Sequence, residues 1–207
     1  MELVGVTISV NYADFLAESL RANRDAFDAF YVVTTEADEE TIGVAVDNHA
    51  GLLISEKVHA NGAHFNKSGL LHDAQKYIHQ KHPDAWIVIL DADILLPPLF
   101  RQSLQPEKLD KTLIYGLERY QYHTKTDFLE QKNCFRFEID SDVGCAGYFQ
   151  IYYDKTKYYE SWSNTAEGGD FKFAESFAGR AAALEDKALV HLGIPVANWS
   201  GRKTARW

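Results

Sequence analysis

Two aspartates one residue apart, Asp91 and Asp93, follow the apolar run Trp86–Leu90 in the stretch WIVILDADILLPP. Carboxylates are costly to bury unless they are paired or bound to a metal. At the end of a strand, such a pair can hold a divalent cation while a diphosphate supplies further oxygens. The cation then offsets the charge that grows on a departing diphosphate. The same three residues, Asp91, Ala92 and Asp93, also read as a loop with solvated or capping aspartates. A calcium loop is excluded, because it needs a glycine at its sixth position and an acid at its twelfth. The stretch DADILLPPLFRQ has Leu96 and Gln102 there.

The elements that must position this pair can be read from periodicity. Residues 4–10 are apolar and β-branched and predict a first strand; 30–34, 52–55, Trp86–Leu90 and 113–115 predict four more. Helices are expected over 14–24, 38–48 and 66–80, with Asp38 and Asn66 as candidate N-caps. Alternating strands and helices imply βαβ units and a mostly parallel central sheet flanked by helices. Ligands of such sheets bind beyond the carboxyl ends of the strands. Asp91 and Asp93 fall there, as do Asn11 and Tyr12 after the first strand and Thr34, Thr35 and Asp38 after the second. Asn66 and Lys67 open a helix, where backbone N–H groups and an ammonium favour phosphate oxygens or sugar hydroxyls; an N-cap asparagine and a solvated lysine are the plainer reading. After residue 115 the alternation breaks down. Residues 120–142 are polar and aromatic and are expected to form a long excursion. A strand over 147–153, a helix over 166–177 and a short strand over 188–191 follow.

The chain has 207 residues, 46% of them apolar and 25% charged, which suits one soluble domain with a sizeable core. Residues 1–117, where strands and helices alternate, are expected to form one half of the domain and 118–207 a shorter, mixed half. The net charge of −9 argues against a nucleic-acid partner, which would need a basic face. No run is long enough for an integral membrane segment, and the first residues lack a signal-peptide pattern, so a cytoplasmic location is expected. The two cysteines, Cys134 and Cys145, are expected to be reduced thiols.

The ordered set of motifs resembles a GT-A-type glycosyltransferase of the family 2-like kind with a D-x-D motif. VTISVNYADFLAESLRAN and FYVVTTEADEET resemble its nucleotide-binding half, and FNKSGLLHDAQKYI its helix ahead of the D-x-D strand. GYFQIYY resembles the acceptor-side strand, GGDFKFAESF the segment holding the catalytic base, and HLGIPVANWSGR a C-terminal block whose histidine completes the metal site. The resemblance implies a GT-A (Rossmann-like) α/β fold, a Mn2+ or Mg2+ ion and a nucleotide-sugar donor, expected to be a UDP-sugar. Asp93 would ligate the metal, Asp91 the metal or the ribose, and His191 would be the third protein ligand; a buried structural histidine is the alternative for His191.

Thr7, Asn11, Tyr12, Thr34 and Asp38 are the donor-reading candidates, with Tyr12 able to stack on the base. Asn66 and Lys67 join them through the resemblance. An inverting transfer needs a carboxylate to deprotonate the acceptor hydroxyl. Asp170, after Gly168 and Gly169, is the first choice, Glu167 the second and Glu175 the third. The basic C-terminus, with Arg202, Lys203 and Arg206, is expected to fold over the diphosphate. A saccharide is the expected acceptor, with a protein side chain or a modified nucleobase as alternatives and a partner chain as a possible source of missing acceptor elements. Tyr148, Tyr152 and Trp162 are candidates to stack on a sugar ring. Two other functions compete: a haloacid-dehalogenase-like phosphatase with Asp91 as nucleophile, and a non-catalytic nucleotide-sugar-binding module. The phosphatase motif is expected near the chain start with Thr or Val after it, whereas here it is mid-chain with Ile94 after it.

Overall fold

A computed structural model describes residues 1–137, 147–184, 187–194, 202, 206 and 207. The first half alternates: β1 (Leu3–Ile8), α1 (Ala13–Asn23), β2 (Ala29–Thr34), α2 (Glu39–Asp47), β3 (Gly51–Ile54), α3 (Lys67–Lys81) and β4 (Trp86–Leu90). Then come β5 (Ile94–Leu95), α4 (Phe100–Ser103), β6 (Ile114–Gly116), β7 (Glu118–Tyr122), α5 (Lys125–Glu130) and β8 (Phe135–Phe137). The remainder is β9 (Phe149–Tyr152), α6 (Gly169–Glu175), β10 (Arg180–Ala182) and β11 (Ala188–Leu192).

The central sheet has seven strands in the order β10-β6-β9-β4-β1-β2-β3. All neighbours are parallel except β9, which runs antiparallel between β4 and β6. Every residue of β4 is buried, because both faces of the sheet are covered. Ile87 and Ile89 point to the face packed by Leu70, Leu71 and Ile78 of α3 and Phe173 of α6. Trp86, Val88 and Leu90 point to the other, against Phe100 and Phe149. Each such aliphatic side chain stabilises the fold by roughly 1.5–3 kcal/mol.

Asp38 caps α2, accepting from the Thr41 N–H at 3.2 Å, and Asn66 caps α3, accepting from the Gly69 N–H at 3.1 Å. Both caps fall where the sequence places them. The expected start of a helix at residue 166 does not hold: Gly168 has φ +77, outside helical space, and α6 begins at Gly169.

The region 120–142 is not one irregular excursion. Its described part supplies β7, α5 and β8, and a second sheet forms in the order β5-β11-β7-β8. β7 and β11 are parallel, with β5 and β8 antiparallel at the edges. The polarity of this segment concealed its strands. Gln121 is fully buried, yet its amide crosslinks the sheet by donating to the carbonyls of His191 (3.2 Å) and Gly193 (2.5 Å). Residues 138–142 of the expected excursion and Cys145 lie outside the described residues. Cys134 is a free, exposed thiol.

Candidate active site

The chain leaves β4 at Asp91 and turns at once, with the Ile94 N–H donating to the Asp91 carbonyl at 3.3 Å. The turn sends the two aspartates to different neighbours. Asp91 faces α3, where Lys67 is the first helical residue. The Lys67 Nζ donates to Asp91 Oδ1 at 2.9 Å and to the Gly147 carbonyl at 3.3 Å, and lies 3.6 Å from Asp170 Oδ1. One ammonium, only 8% exposed as a residue, thus joins the end of β4, the segment before β9 and the start of α6. Burial pushes the Lys67 ammonium toward neutrality, but Asp170 and Asp91 outweigh it, and its pKa rises above the ordinary lysine value. Burial raises the Asp91 pKa; Lys67 opposes this, Asp93 and Asp170 reinforce it, and the net direction is up.

Two glycines let these elements close on one another. A Cβ on Gly147 would lie 1.7 Å from Asp170 Oδ2, and one on Gly169 would lie 2.4 Å from the Ser68 Oγ. Asp170 itself is held from behind. The Tyr159 hydroxyl lies 3.1 Å from its Oδ1, and the Gln150 amide donates to its backbone carbonyl at 3.1 Å.

Asp93 faces the second sheet. Its carbonyl accepts from the Leu192 N–H at 2.9 Å, and His191 Nε2 lies 3.3 Å from its Oδ1. That Oδ1 is buried, and no donor meets it in hydrogen-bond geometry. Arg119, from β7, brings its Nη1 to 3.0 Å from His191 Nδ1 and stacks its guanidinium over the Tyr148 ring at 4.5 Å. Burial lowers the Arg119 pKa, against Tyr148, Asp91 and Asp93, which raise it.

This arrangement suits a divalent cation in part. The unpartnered Asp93 Oδ1 is the oxygen a cation would take, and the adjacent imidazole nitrogen is a second donor. A guanidinium only donates, so Arg119 makes His191 Nδ1 an acceptor and leaves the proton of the neutral ring on Nε2. Ligation through Nε2 therefore requires Arg119 to give up that bond. Among the described residues no three His, Cys, Asp or Glu side chains converge into a metal cage, so further ligands would come from a diphosphate and water.

The structure thus brings Lys67, Asp91, Asp93, Asp170 and His191 together, with Tyr148 beside His191; the other described candidates have the following surroundings. Thr7 is buried, with its hydroxyl 3.5 Å from the Ile8 carbonyl. Thr34 is buried with its hydroxyl on Asp38 Oδ2 at 3.4 Å, and that same oxygen accepts from the Asn11 N–H at 2.7 Å. Asp38 thus caps α2 and fixes the loop after β1, where Asn11 has φ +60.

Asn66 is buried: its Oδ1 accepts from Gly69 and, at 2.8 Å, from the Ser163 N–H, while its Nδ2 donates to the Lys57 carbonyl at 3.1 Å. Ala92 is buried against α1, and its carbonyl accepts from Ser19 Oγ at 2.7 Å. Glu167 is exposed in the segment before α6, with its N–H on the Thr165 hydroxyl at 3.2 Å.

The C-terminus docks on α1. Arg202 makes a two-pronged pair with Asp14 at 2.6 and 2.9 Å, donates to the Asn11 carbonyl and lies 4.7 Å from the Tyr12 ring. Arg206 pairs with Glu40 at 2.7 Å, and Trp207 packs on Phe15. Lys203 lies outside the described residues. Of the proposed stacking aromatics, Tyr152 is a core residue whose hydroxyl lies 2.9 Å from His79 Nε2, whereas Trp162 is 41% exposed and anchored by its Nε1 to the Ala60 carbonyl.

Sequence reading missed Arg119, Gln150, Tyr159 and Gly147. For Gln150 a signal existed, since one amide inside the apolar YFQIYY demands a buried partner. Arg119 and Tyr159 carry no local signal.

No protein-family model and no curated protein matches the chain. The fold, with its D-x-D turn after the fourth strand, is the GT-A fold. Solved structures similar to it include glucosyl-3-phosphoglycerate synthase from Mycobacterium tuberculosis with Mn2+, uridine diphosphate and glucosyl-3-phosphoglycerate, at 11% identity and TM-score 0.54, covering 96% of this chain and 76% of that one. The same enzyme with Mn2+, UDP-glucose and glycerol 3-phosphate gives 12% identity and TM-score 0.53, over 96% and 76%. Its Mg2+ and UDP complex gives 12% and 0.52, over 96% and 75%. At these identities the likeness is one of fold. Among the described residues no helix is long and apolar enough to cross a membrane.

Proposed function

We propose that this chain is a metal-dependent glycosyltransferase that moves a sugar from a UDP-sugar to an acceptor hydroxyl, with inversion. The observation that carries the proposal is the lysine shared by two carboxylates: Lys67 holds Asp91, at the D-x-D turn, and Asp170, on the facing helix, within a few ångström of one atom. Asp93, Asp91 and His191 would hold a Mn2+ or Mg2+ ion, which neutralises charge on the leaving diphosphate. The fold neighbour's complexes, with Mn2+ or Mg2+ and UDP or UDP-glucose, support that choice of metal and nucleotide.

Asp170 takes the proton of the acceptor hydroxyl while that oxygen bonds to the anomeric carbon. The bond from that carbon to the diphosphate breaks, and its electron pair leaves with UDP. The acceptor is a saccharide, with Trp162 as a ring platform beside the α3 N-terminus. The phosphatase alternative drew on the motif alone, and the fold around that motif is GT-A.

Calorimetric titration of UDP with manganese, with EDTA, and on Asp93→Ala tests the donor half. Binding that needs both metal and Asp93 is expected; binding indifferent to both overturns it. NMR of the product's anomeric proton then reads the stereochemistry, and retention of configuration removes Asp170 as the base.

A further inference from the structure

Behind Asp170 lie two fully enclosed polar side chains that the proposed reaction does not yet use. Tyr159 is 2% exposed and Gln150 0%. Buried polar groups are expensive unless satisfied, and these two satisfy each other and Asp170. The Gln150 Nε2 donates to the Asp170 carbonyl at 3.1 Å. That bond fixes the amide's orientation and turns its Oε1 to the Tyr159 hydroxyl, 2.6 Å away.

The hydroxyl therefore sits between two acceptors, Gln150 Oε1 at 2.6 Å and Asp170 Oδ1 at 3.1 Å, and it has one proton to give. Its own position is fixed. The Tyr159 N–H donates to Gln75 Oε1 at 2.8 Å, and the ring stacks on Phe173, one helical turn on from Asp170, with centroids 4.4 Å apart.

We propose that Tyr159 and Gln150 are positioning residues that hold the Asp170 carboxyl in place in both of its working states. This rests on the reading of Asp170 as the base. Before transfer, the hydroxyl donates a hydrogen bond to the Asp170 carboxylate at Oδ1, beside the Lys67 ammonium. After Asp170 has taken the acceptor's proton on Oδ2, its Oδ1 becomes the neutral carbonyl oxygen of the acid, a weaker acceptor, and the hydroxyl turns its O–H to Gln150 Oε1. No bond of Tyr159 breaks, and its hydroxyl keeps an acceptor throughout. A single acceptor behind the tyrosine could serve only one of the two states.

Four proteins test this: wild type, Tyr159→Phe, Asp170→Asn and the double variant. Phenylalanine keeps the stack on Phe173 and removes only the hydroxyl. Losing a hydrogen bond to a charged group should lower kcat on the order of tenfold to a hundredfold. The UDP dissociation constant and the acceptor KM should stay within about threefold. Because Tyr159 acts through Asp170, it should not slow further the residual turnover of Asp170→Asn, measured over long incubations with radiolabelled donor.

Wild-type kcat in Tyr159→Phe overturns the proposal, and so does an equal slowing in both backgrounds. Full turnover in Asp170→Asn overturns instead the reading of Asp170 as base. If Tyr159→Phe does not fold, Gln150→Met carries the same test. It removes the second acceptor within an otherwise apolar strand, and unchanged kcat there is equally fatal.

Discussion

Replacing Gly147 by alanine would set a methyl carbon 1.7 Å from Asp170 Oδ2, 1.9 Å from its Cγ and 2.3 Å from its Oδ1. All three atoms of the carboxyl group lie inside the closest approach that real side chains make, so something must move by more than about 1 Å. If Asp170 retreats, it leaves Lys67 at 3.6 Å and Tyr159 at 3.1 Å. If the Gly147 backbone retreats, it gives up the bond from Lys67 to its carbonyl at 3.3 Å.

A reacting group misplaced by ~1 Å costs about a hundredfold in rate, or about 2.7 kcal/mol of transition-state stabilisation. Stability should fall less: overpacking costs roughly 1–3 kcal/mol, and alanine returns about 0.4–1 kcal/mol by restricting the unfolded chain. Asp93, His191 and Arg119 face the other sheet, so metal-dependent UDP binding should survive within a few-fold. The assay is UDP release in the presence of acceptor, with UDP calorimetry and a thermal melt on the same preparations. A folded Gly147→Ala protein with wild-type turnover would refute the placement of Asp170 in the reaction. Loss of UDP binding in step with turnover would refute the division of the site into two clusters.

Two further outcomes follow from buried charge. His79 is neutral in the fold: its Nδ1 donates to the Lys155 carbonyl at 3.2 Å, and its Nε2 accepts from the Tyr152 hydroxyl at 2.9 Å. Burial, and then the Lys155 ammonium, push its pKa down from 6.5 to about 4. A lowered histidine pKa gives stability that is complete above about pH 6.5 and drains away as pH falls toward 4, on the order of 2–3 kcal/mol. Urea unfolding at pH 8 and pH 4.5 should show His79→Gln losing about that much less than wild type across the interval; equal losses would sink the idea. At the C-terminus, Asp14 carries the pair with Arg202 and accepts from the Trp207 N–H. Burial raises the Asp14 pKa, but Arg202 and Trp207 outweigh it and the net shift is down, so this contribution holds above the ordinary carboxylate range and fades below it. Asp14→Asn should release the C-terminus, seen as faster trimming by carboxypeptidase at pH 7; an unchanged rate would mean the docking does not depend on this pair.

The first half of the fold was legible because its rules are local. β1 to β4 are apolar runs, α2 and α3 start at a capping aspartate and asparagine, and a sheet covered on both faces tolerates nothing else in β4. The same local rules account for the place of two donor-site candidates. Asp38 and Asn66 stand at helix starts because they cap. Of the second sheet only β11 was legible, as a short apolar run; β5 is two residues long, and β7 and β8 are polar with distant partners. Arg119 meets His191 across 72 positions of sequence, and Tyr159 reaches Gln150 only through the return of the chain after β9. Lys67 could be recognised as a charged residue at a helix start, but its partners, 24 and 80 positions away, could not.

The turn after β4 is the physical reason the D-x-D pair can serve two purposes. Alternation in a continued strand would point Asp91 and Asp93 to the same face, where two like charges would oppose each other's ionisation. The bond from the Ile94 N–H to the Asp91 carbonyl ends the strand first, giving Asp91 to α3 and Asp93 to β11. Three carboxylates, Asp91, Asp93 and Asp170, then share two permanent cations, Lys67 and Arg119. Neither of those cations reaches Asp93 Oδ1, which no donor meets in hydrogen-bond geometry. In the proposed reaction a divalent cation at that oxygen would supply the positive charge a diphosphate requires, while Lys67 stays beside Asp170, the base for the acceptor. Asp93→Asn should therefore weaken metal-dependent UDP binding and leave the Lys67–Asp170 contact intact, a division that a single undivided acidic site would not produce.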